Sequence, residues 1–257
     1  MSPAELGLQT PTPGAPEKAS VRSMFDRIAP RYDLLNRLLS AGTDVRWRRT
    51  TVRLLALPRG GRVLDLCTGT ADLLIEALGR DPAARGVGID LSSEMLVRGV
   101  RKIGRQGMGP RGALASGDAE RLPLAAGTFD GAMIAFGIRN VGDPSAALRE
   151  IHRVLRPEGT VVILEFSNPR GLLGAAYRLY FGRVLPRIGG LVSGDRSAYA
   201  YLPASVGRFP SPEAFAGLME QAGFAAAKPV ALTGGIAHVY RGVKRGPEAS
   251  MKSGRQR

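Results

Sequence analysis

The stretch that decides the fold is Arg62-Val-Leu-Asp-Leu-Cys-Thr-Gly-Thr-Ala-Asp72, a short apolar run that leads into a turn of small residues. Such a run predicts a buried β-strand, and the small residues allow backbone N–H groups before the next helix to approach a ligand closely. The turn has fewer glycines than the G-x-G-x-x-G dinucleotide motif, and no lysine follows at P-loop spacing. It therefore predicts a nucleotide-cofactor loop that favours neither a nicotinamide site nor a P-loop.

Two further predicted strands end near acidic residues. The segment Arg85-Gly-Val-Gly-Ile-Asp90 places a carboxylate about twenty residues after the first loop, where it can accept hydrogen bonds from a ribose hydroxyl pair. The segment Ser116-Gly-Asp-Ala-Glu-Arg-Leu-Pro-Leu124 places Asp118 at the end of the next strand. In this order of features the chain resembles the class I S-adenosylmethionine (SAM) methyltransferases, from about residue 60 to 165. A cationic sulfonium cofactor without phosphates suits acids rather than lysines.

This resemblance implies a set of cofactor-binding residues in the three loops. Their expected roles are loop shaping by Asp65 and Gly69, contact with the methionine part by Thr70, ribose binding by Asp90, and adenine binding by Asp118 with the Ala119 backbone.

Composition sets the limits of the fold. The chain has 257 residues and 44% hydrophobic content, which suits one α/β domain with a sizeable core. No apolar run approaches the length of a membrane span, and the Pro- and Thr-rich N-terminus does not resemble a signal peptide. Cys67 is the only cysteine, so an intramolecular disulfide is excluded and a reducing cytoplasm fits. With two distant histidines and no H-x-x-H spacing, no metal site is expected.

The net charge of +14 implies attraction to polyanions, either nucleic acid or an anionic membrane surface. The charge alone does not choose between them. Part of it lies in segments predicted to be disordered, namely a Pro-rich tail at residues 1–19 and a basic tail at residues 245–257.

Strands and helices are predicted to alternate from Val63 to about Phe166, which indicates a mostly parallel, doubly wound α/β sheet. The resemblance to the class I methyltransferases implies that this sheet has their Rossmann-like fold. Ligands of such sheets bind at the carboxyl ends of the strands. We expect a single domain over residues 20–244, with a helical lid insertion at about 168–208 and a closing antiparallel hairpin near 225–243.

A second, narrower resemblance comes from segments outside the cofactor loops. The chain resembles the menaquinone and ubiquinone biosynthesis C-methyltransferases over about residues 20 to 244. The segments that carry the resemblance are Tyr32-Asp-Leu-Leu-Asn-Arg-Leu-Leu-Ser40 followed by Trp47, Phe136-Gly-Ile-Arg-Asn-Val141, Arg153-Val-Leu-Arg-Pro-Glu-Gly-Thr-Val-Val-Ile-Leu-Glu-Phe-Ser167, Leu185-Pro-Arg-Ile-Gly189 and Tyr199-Ala-Tyr-Leu202. The family usually has His where Asp44 stands and Gly where Ala71 stands, and a positive φ at Ala71 would be costly.

This second resemblance implies methyl transfer from SAM to a ring carbon of a polyprenylated quinol. The carbon becomes nucleophilic when the neighbouring hydroxyl ionises. The pKa of that hydroxyl should resemble the pKa of a phenol, roughly 10. We expect Arg139 to stabilise the developing phenolate, Asn140 and Tyr32 to orient the ring hydroxyls, and water to take the proton. Demethylmenaquinol is the expected substrate, and the 2-methoxy-6-polyprenyl-1,4-benzoquinol of ubiquinone biosynthesis is the alternative.

A prenylated substrate lies in the bilayer, so the expected location is the cytoplasm, with peripheral association at the inner face of the plasma membrane. Lid arginines such as Arg178, Arg183 and Arg187 are expected to face anionic lipid. No nucleic-acid partner is expected, and a homodimer is left open. Three other readings stay open: an RNA methyltransferase, another small-molecule methyltransferase, and a non-catalytic SAM-binding accessory subunit.

Overall fold

The structure is a computed structural model that describes residues 17–246 apart from residues 41, 170–173 and 175–195. It begins with three helices, α1 (Lys18–Ile28), α2 (Tyr32–Leu39) and α3 (Thr43–Leu55). A 3-10 turn at Ala29–Arg31 separates the first two, and it contains Pro30, the residue expected to break the helix. Helix α1 begins at Lys18, inside the tail predicted for residues 1–19, so the predicted boundary is slightly late.

The next part of the chain forms the parallel part of a sheet and its covering helices. The elements are β1 (Arg62–Leu66), α4 (Asp72–Arg80), β2 (Arg85–Asp90), α5 (Ser93–Arg105), β3 (Gly112–Ser116), β4 (Phe129–Ala135), α6 (Pro144–Val154) and β5 (Leu155–Phe166). The connection from β3 to β4 contains no helix, contrary to the predicted alternation. Pro123 and Gly127 in this connection interrupt any helical run.

The sheet has seven strands in the order β3-β2-β1-β4-β5-β7-β6. Strands β1 to β5 pair in parallel. Strand β7 (Ala237–Lys244) lies antiparallel between β5 and β6 (Phe224–Leu232). The chain order reverses at β1, so the loops after β1, β2 and β4 meet at the carboxyl edge where such sheets bind ligands.

The predicted closing hairpin is confirmed as the antiparallel pair β6 and β7. Before it runs helix α8 (Pro212–Gln221), whose N-cap Ser211 accepts a hydrogen bond from the Ala214 backbone N–H. Pro229 lies in β6, which a proline tolerates because β6 is the edge strand. The mostly parallel doubly wound fold predicted from the sequence is therefore confirmed.

Helices cover both faces of the sheet, and the alternation of side chains along each strand separates two cores. In β1, Leu64 and Leu66 belong to the core that α6 and α8 complete, whereas Val63 packs with α3 and α4. By the same alternation Asp65 lies on the α4 face at the carboxyl end of its strand. In β5, Glu165 lies on the same face as Val161 and Ile163, which is the face opposite to that of Asp65.

The predicted lid is described only in part. Its C-terminal end is helix α7 (Arg196–Arg208). The lid arginines Arg178, Arg183 and Arg187 lie outside the described residues. Among the described residues, no helix is long and apolar enough to cross a bilayer.

Candidate functional site

The loop after β1 passes through left-handed backbone conformations at Cys67 (φ 52°), Gly69 (φ 54°) and Ala71 (φ 67°). For a residue with a Cβ this conformation costs about 1–2 kcal/mol. Ala71 therefore has the positive φ that the sequence analysis identified as costly for an alanine. The Thr68 N–H donates to the Ile89 carbonyl at 3.1 Å and ties the loop to β2. The loop is thus a strained backbone structure held open at the carboxyl edge of the sheet.

Asp65 lies buried beneath this loop. Its carboxylate accepts hydrogen bonds from the Thr68 hydroxyl at 2.6 Å and from the Leu74 N–H in the first turn of α4. Ala71, at the N-cap of α4, has no capping side chain, so Asp65 supplies an acceptor that the helix start lacks. Burial raises the pKa of Asp65 to about 7, which favours its protonated form near neutral pH.

Asp90 joins the first two loops at the end of β2. One carboxylate oxygen accepts from the Gly69 N–H and the other from the Ser92 N–H, both at 2.8 Å. Burial raises the pKa of Asp90, and hydrogen bonds from the Ser92, Gly69 and Leu91 N–H groups oppose that rise. A carboxylate has about four lone-pair sites, so these three N–H donors leave room for a hydroxyl donor from a ligand.

Asp118 and Ala119 lie in the loop after β3. Asp118 accepts from the Glu120 N–H at 3.0 Å and from the Lys18 ammonium at 2.6 Å. Lys18, at the start of α1, also reaches Glu120 at 2.6 Å. At the other end of α1, Asp26 accepts from the Ser92 hydroxyl at 2.6 Å. Helix α1 is therefore pinned over the loops after β2 and β3.

A cavity lies between these loops and α1. Of the residues predicted from the sequence, those that line it are Gly69, Asp90, Asp118, Ala119, Tyr32 and Asn140. Asp65, Thr70 and Arg139 are not among its lining residues. The structure thus brings six of the nine predicted site residues together around one cavity, and the other three do not line it.

Thr70 faces away from the cavity. Its hydroxyl donates to Asp33 at 2.6 Å and accepts from Lys102 at 3.0 Å. Lys102 also pairs with Asp33 at 2.8 Å and with Asp72. In this structure the Thr70 hydroxyl therefore connects α2, α4 and α5 and does not contact the cavity.

Arg139 forms a buried ion pair behind the cavity. Its Nη1 donates to Glu165 Oε1 at 2.7 Å, and the exposed fractions of the two side chains are 7% and 0%. The guanidinium carbon lies 5.5 Å from the centre of the Phe166 ring, a cation–π distance. Burial raises the pKa of Glu165, and the charge of Arg139 opposes this rise.

Tyr32 and Asn140 line the cavity near this ion pair. Tyr201, from α7, donates its hydroxyl to the Asn140 side-chain oxygen at 3.1 Å. Burial raises the pKa of Tyr32, while a hydrogen bond from Asn36 and the charge of Arg139 lower it. The charge of Arg139 therefore acts electrostatically on the phenol of Tyr32, which lines the cavity.

Three aromatic residues pack beside the ion pair. The Phe136 and Phe166 rings stack with their centres 4.3 Å apart, and Trp47 contacts both rings at 5.9 and 6.1 Å. The Trp47 indole N–H donates to the Thr233 hydroxyl at 2.9 Å, which joins α3 to the turn before β7. Of the three, Phe136 lines the cavity, and Trp47 and Phe166 support its ring from behind.

The model of the ubiE/COQ5 methyltransferase family matches residues 14–244. The chain belongs to that family. This UbiE/COQ5 methyltransferase is 52% identical over 225 residues to the ubiquinone/menaquinone biosynthesis C-methyltransferase UbiE of Syntrophotalea carbinolica, covering 87% of this chain and 93% of the relative. It is 49% identical over 220 residues to the demethylmenaquinone methyltransferase of Thermus thermophilus, covering 85% of this chain and 99% of the relative.

Solved structures support the fold at much lower identity. A SAM-dependent methyltransferase from Aquifex aeolicus superposes with a TM-score of 0.58 and 17% identity, covering 76% of this chain and 88% of that one. The [4+2]-cyclase SpnF superposes with a TM-score of 0.62 and 18% identity, covering 92% of this chain and 99% of that one. Because one of these two is a cyclase, the fold alone does not define the reaction. The class I fold and the family predicted from the sequence are confirmed, and the enzyme is a methyltransferase.

The remaining candidate groups of this UbiE/COQ5 methyltransferase have structural partners. His238 Nδ1 lies 2.7 Å from the Ser167 hydroxyl, and His152 packs edge-on against Phe224. Burial raises the pKa of the Cys67 thiol well above its usual value, which suppresses the thiolate. The described residues contain no group of three or more His, Cys, Asp or Glu placed to hold a metal ion.

Sequence reasoning missed two contributors to the site of this UbiE/COQ5 methyltransferase. Glu165 had a detectable signal, since it is a carboxylate at the carboxyl end of an otherwise apolar buried strand. Lys18 had none, because its partners Asp118 and Glu120 are about a hundred residues away and only the folded chain brings them together.

Proposed function

We propose that this protein catalyses SAM-dependent C-methylation of a polyprenylated hydroquinone ring, with demethylmenaquinol as substrate and menaquinol as product. The observation that carries the proposal is the identity of about half over nearly the full length with a relative named for demethylmenaquinone methylation. The benzoquinol of ubiquinone biosynthesis is the second candidate, favoured by relatives named for both pathways.

The residues of the cavity fit SAM. Asp90 and Asp118 line it, and the adjacent loop presents the left-handed Gly69 in place of a lysine-bearing phosphate cradle. Asp90 would take the ribose hydroxyls, while Asp118 with the Ala119 backbone would take the adenine edge. When bound, SAM supplies an electrophilic methyl group on a sulfonium, and the acidic lining suits that positive charge.

The acceptor end of the cavity fits a phenolic ring. Phe136 lines it beside Tyr32 and Asn140, and an apolar wall with few polar groups is typical of small-molecule sites. Arg139 favours ionisation of Tyr32, and it would favour ionisation of a quinol hydroxyl near Tyr32 in the same way. An arginine stays protonated, so it acts as an electrostatic group and water takes the proton.

Methyl transfer would form one carbon–carbon bond to the ring of the phenolate, break the bond between sulfur and the methyl carbon, and release S-adenosylhomocysteine. The methylated ring carbon would then lose its hydrogen as a proton while the ionised oxygen takes a proton back. The aromatic quinol is thereby restored, and one proton in total goes to water. Residues of this chain contribute orientation and charge: Asn140 and Tyr32 hold the hydroxyls, and Arg139 lowers the energy of the phenolate.

The decisive test is incorporation of labelled methyl groups from SAM into demethylmenaquinol, the benzoquinol precursor and total RNA, in separate assays with reductant and detergent. We expect label in demethylmenaquinol. Label only in the benzoquinol would move the enzyme to the second candidate pathway, and label only in RNA would overturn the proposal. Cofactor binding without any label would favour an accessory role.

We also propose peripheral association with the inner face of the plasma membrane, since the net charge of +14 favours anionic lipid and the proposed substrate is a membrane lipid. Flotation with vesicles of anionic lipid should recover more protein than flotation with neutral vesicles. Equal recovery from both would contradict this location. A homodimer stays a prediction.

A further inference from the structure

The buried carboxylate of Glu165 has no direct access to the cavity, yet it contacts Arg139 twice. Its Oε1 accepts from Arg139 Nη1 at 2.7 Å, and its Oε2 accepts from the Arg139 backbone N–H at 3.3 Å. Oε1 also accepts from its neighbour's backbone, the Phe166 N–H, at 2.8 Å. Strand β5 thus fixes the carboxylate, and the carboxylate fixes both the main chain and the side chain of Arg139.

Two further hydrogen bonds complete the hold on the guanidinium. Nη1 also donates to the Phe136 carbonyl, and Nε donates to the Ser205 hydroxyl of α7 at 3.3 Å. Nη2 has no hydrogen-bond partner among the described residues. A guanidinium has five N–H donors in a rigid plane, so fixing Nη1 and Nε fixes the direction of the remaining pair on Nη2.

Charge gives the same contact a second effect. A buried guanidinium without a counterion would be costly, whereas the ion pair with Glu165 is neutral. The charge of Arg139 nevertheless still lowers the pKa of Tyr32 and Tyr201 against the larger effect of burial. Glu165 opposes this effect on the pKa of Tyr201, but for both phenols the effect of Arg139 is the larger of the two.

We infer that Glu165 is a positioning residue for methyl transfer, because it fixes the main chain and the side chain of Arg139, whose charge acts on the acceptor ring through the cavity wall formed by Tyr32 and Asn140. This inference rests on the proposed quinol methylation and deepens it. Glu165 does not touch the substrate and acts only through Arg139. A displacement of about 1 Å in such a group can reduce a rate by about a hundredfold.

The test is a double-mutant cycle on full-length protein with demethylmenaquinol as acceptor. We expect Glu165→Gln to lower kcat by about tenfold or more, with the KM for SAM and the affinity for S-adenosylhomocysteine within about twofold of wild type. In an Arg139→Gln background, Glu165→Gln should change kcat less than about twofold, because there is no guanidinium left to orient.

A conservative variant separates position from charge. Glu165→Asp keeps the carboxylate but shortens the side chain by one methylene, so positioning predicts a kcat loss similar to that of Glu165→Gln. Glu76→Gln, at an exposed ion pair with Arg80 on α4, is the matched control and should leave kcat unchanged. The paired Arg139→Gln/Glu165→Gln variant carries no unpaired buried charge and keeps the cycle measurable.

Several outcomes would overturn the inference. One is a kcat of the double variant that is lower than wild type by the product of the two single-variant losses. Another is a loss of cofactor affinity in Glu165→Gln as large as its loss of kcat. The third is a wild-type kcat in Glu165→Asp. If wild type itself transferred no methyl group to either quinol, the proposed function would be wrong and the inference would fall with it. Wild-type turnover with multiplying losses would overturn the inference alone.

Discussion

The two ends of the cavity hold their ionisable groups in different ways. We call the end beside Asp65 and Asp90 the cofactor half and the end beside Arg139 the acceptor half, after their proposed roles. Asp65 and Asp90 accept hydrogen bonds from backbone N–H groups and a neighbouring hydroxyl in the loops and helix starts beside them. Arg139, by contrast, is held by the carboxylate of Glu165 from another strand and by Ser205 from another helix. Backbone donors cannot be mutated away, whereas an ion pair depends on both partners. The two halves should therefore respond differently to single substitutions.

The largest effect is expected from Arg139→Leu in the acceptor half. It leaves Glu165 buried without its counterion, which should lower the free energy of unfolding by about 3–5 kcal/mol. The folded state raises the pKa of Glu165, so the destabilisation should be smallest at low pH, where the carboxyl binds a proton, and should grow as the pH rises. Urea unfolding at several pH values measures this.

The control for that prediction is Arg139→Leu with Glu165→Leu. Replacing both partners with apolar residues leaves no buried charge, so most of the lost stability should return. A double variant as unstable as the single one would show that packing, and not the unpaired carboxylate, caused the loss.

Asp90→Asn should give the next largest effect, and it should fall on the cofactor. Both oxygens of Asp90 accept from N–H groups, so the amide NH2 of asparagine must face a donor in either orientation. We expect affinity for S-adenosylhomocysteine to fall about a hundredfold, or roughly 2.7 kcal/mol, by calorimetry. Affinity within twofold of wild type would show that Asp90 does not bind the ribose.

Asp65→Asn should change the pH dependence of stability and leave the loop in place. In wild type the raised pKa of about 7 means that folding binds a proton, so stability is greatest below the unfolded-state pKa and is lost as the pH rises toward 7. Between pH 5 and pH 7 wild type should lose about 2 kcal/mol that the asparagine variant keeps. Parallel stability curves for the two proteins would contradict the raised pKa.

Lys18→Ala should have the smallest effect. Its ion pairs with Asp118 and Glu120 are partly exposed, since 41% of the lysine side chain is accessible, and pairs of this kind contribute about 0.2–1 kcal/mol. We expect cofactor affinity to change less than about fivefold, with kcat unaffected. Lys228→Ala, on the exposed edge strand β6, is the control with the same loss of charge. A hundredfold change in affinity would mean that α1 does more than cover the cavity.

The convergence of residues in the cofactor half was easier to predict from the sequence than the side-chain contacts of the acceptor half. The strand and loop at residues 62–72, with Asp90 and Asp118, form a local pattern, because each acid follows its own strand. Their convergence follows from a rule about parallel sheets and needs no knowledge of side-chain contacts. Thr70 is the exception, since its hydroxyl turns to Asp33 on α2.

The acceptor half needed the folded chain. Arg139 and Asn140 were found through a resemblance, but nothing in the sequence paired Arg139 with Glu165 or Asn140 with Tyr201. The stack of Phe136 on Phe166, with Trp47 beside both, likewise joins segments far apart in the chain. Such contacts depend on how elements pack, which no local periodicity encodes.

The sequence by itself determined the parallel sheet, the acidic loops, the family and the order of strands and helices apart from the helix expected between β3 and β4, because these follow from local periodicity and short motifs. Only the tertiary structure decided which predicted residues face the cavity, that α1 covers it, and that the charge of Arg139 is balanced by Glu165. The physical reason is that burial and charge pairing are properties of three-dimensional neighbours. A carboxylate in a strand acquires its role only when the fold places a cation beside it.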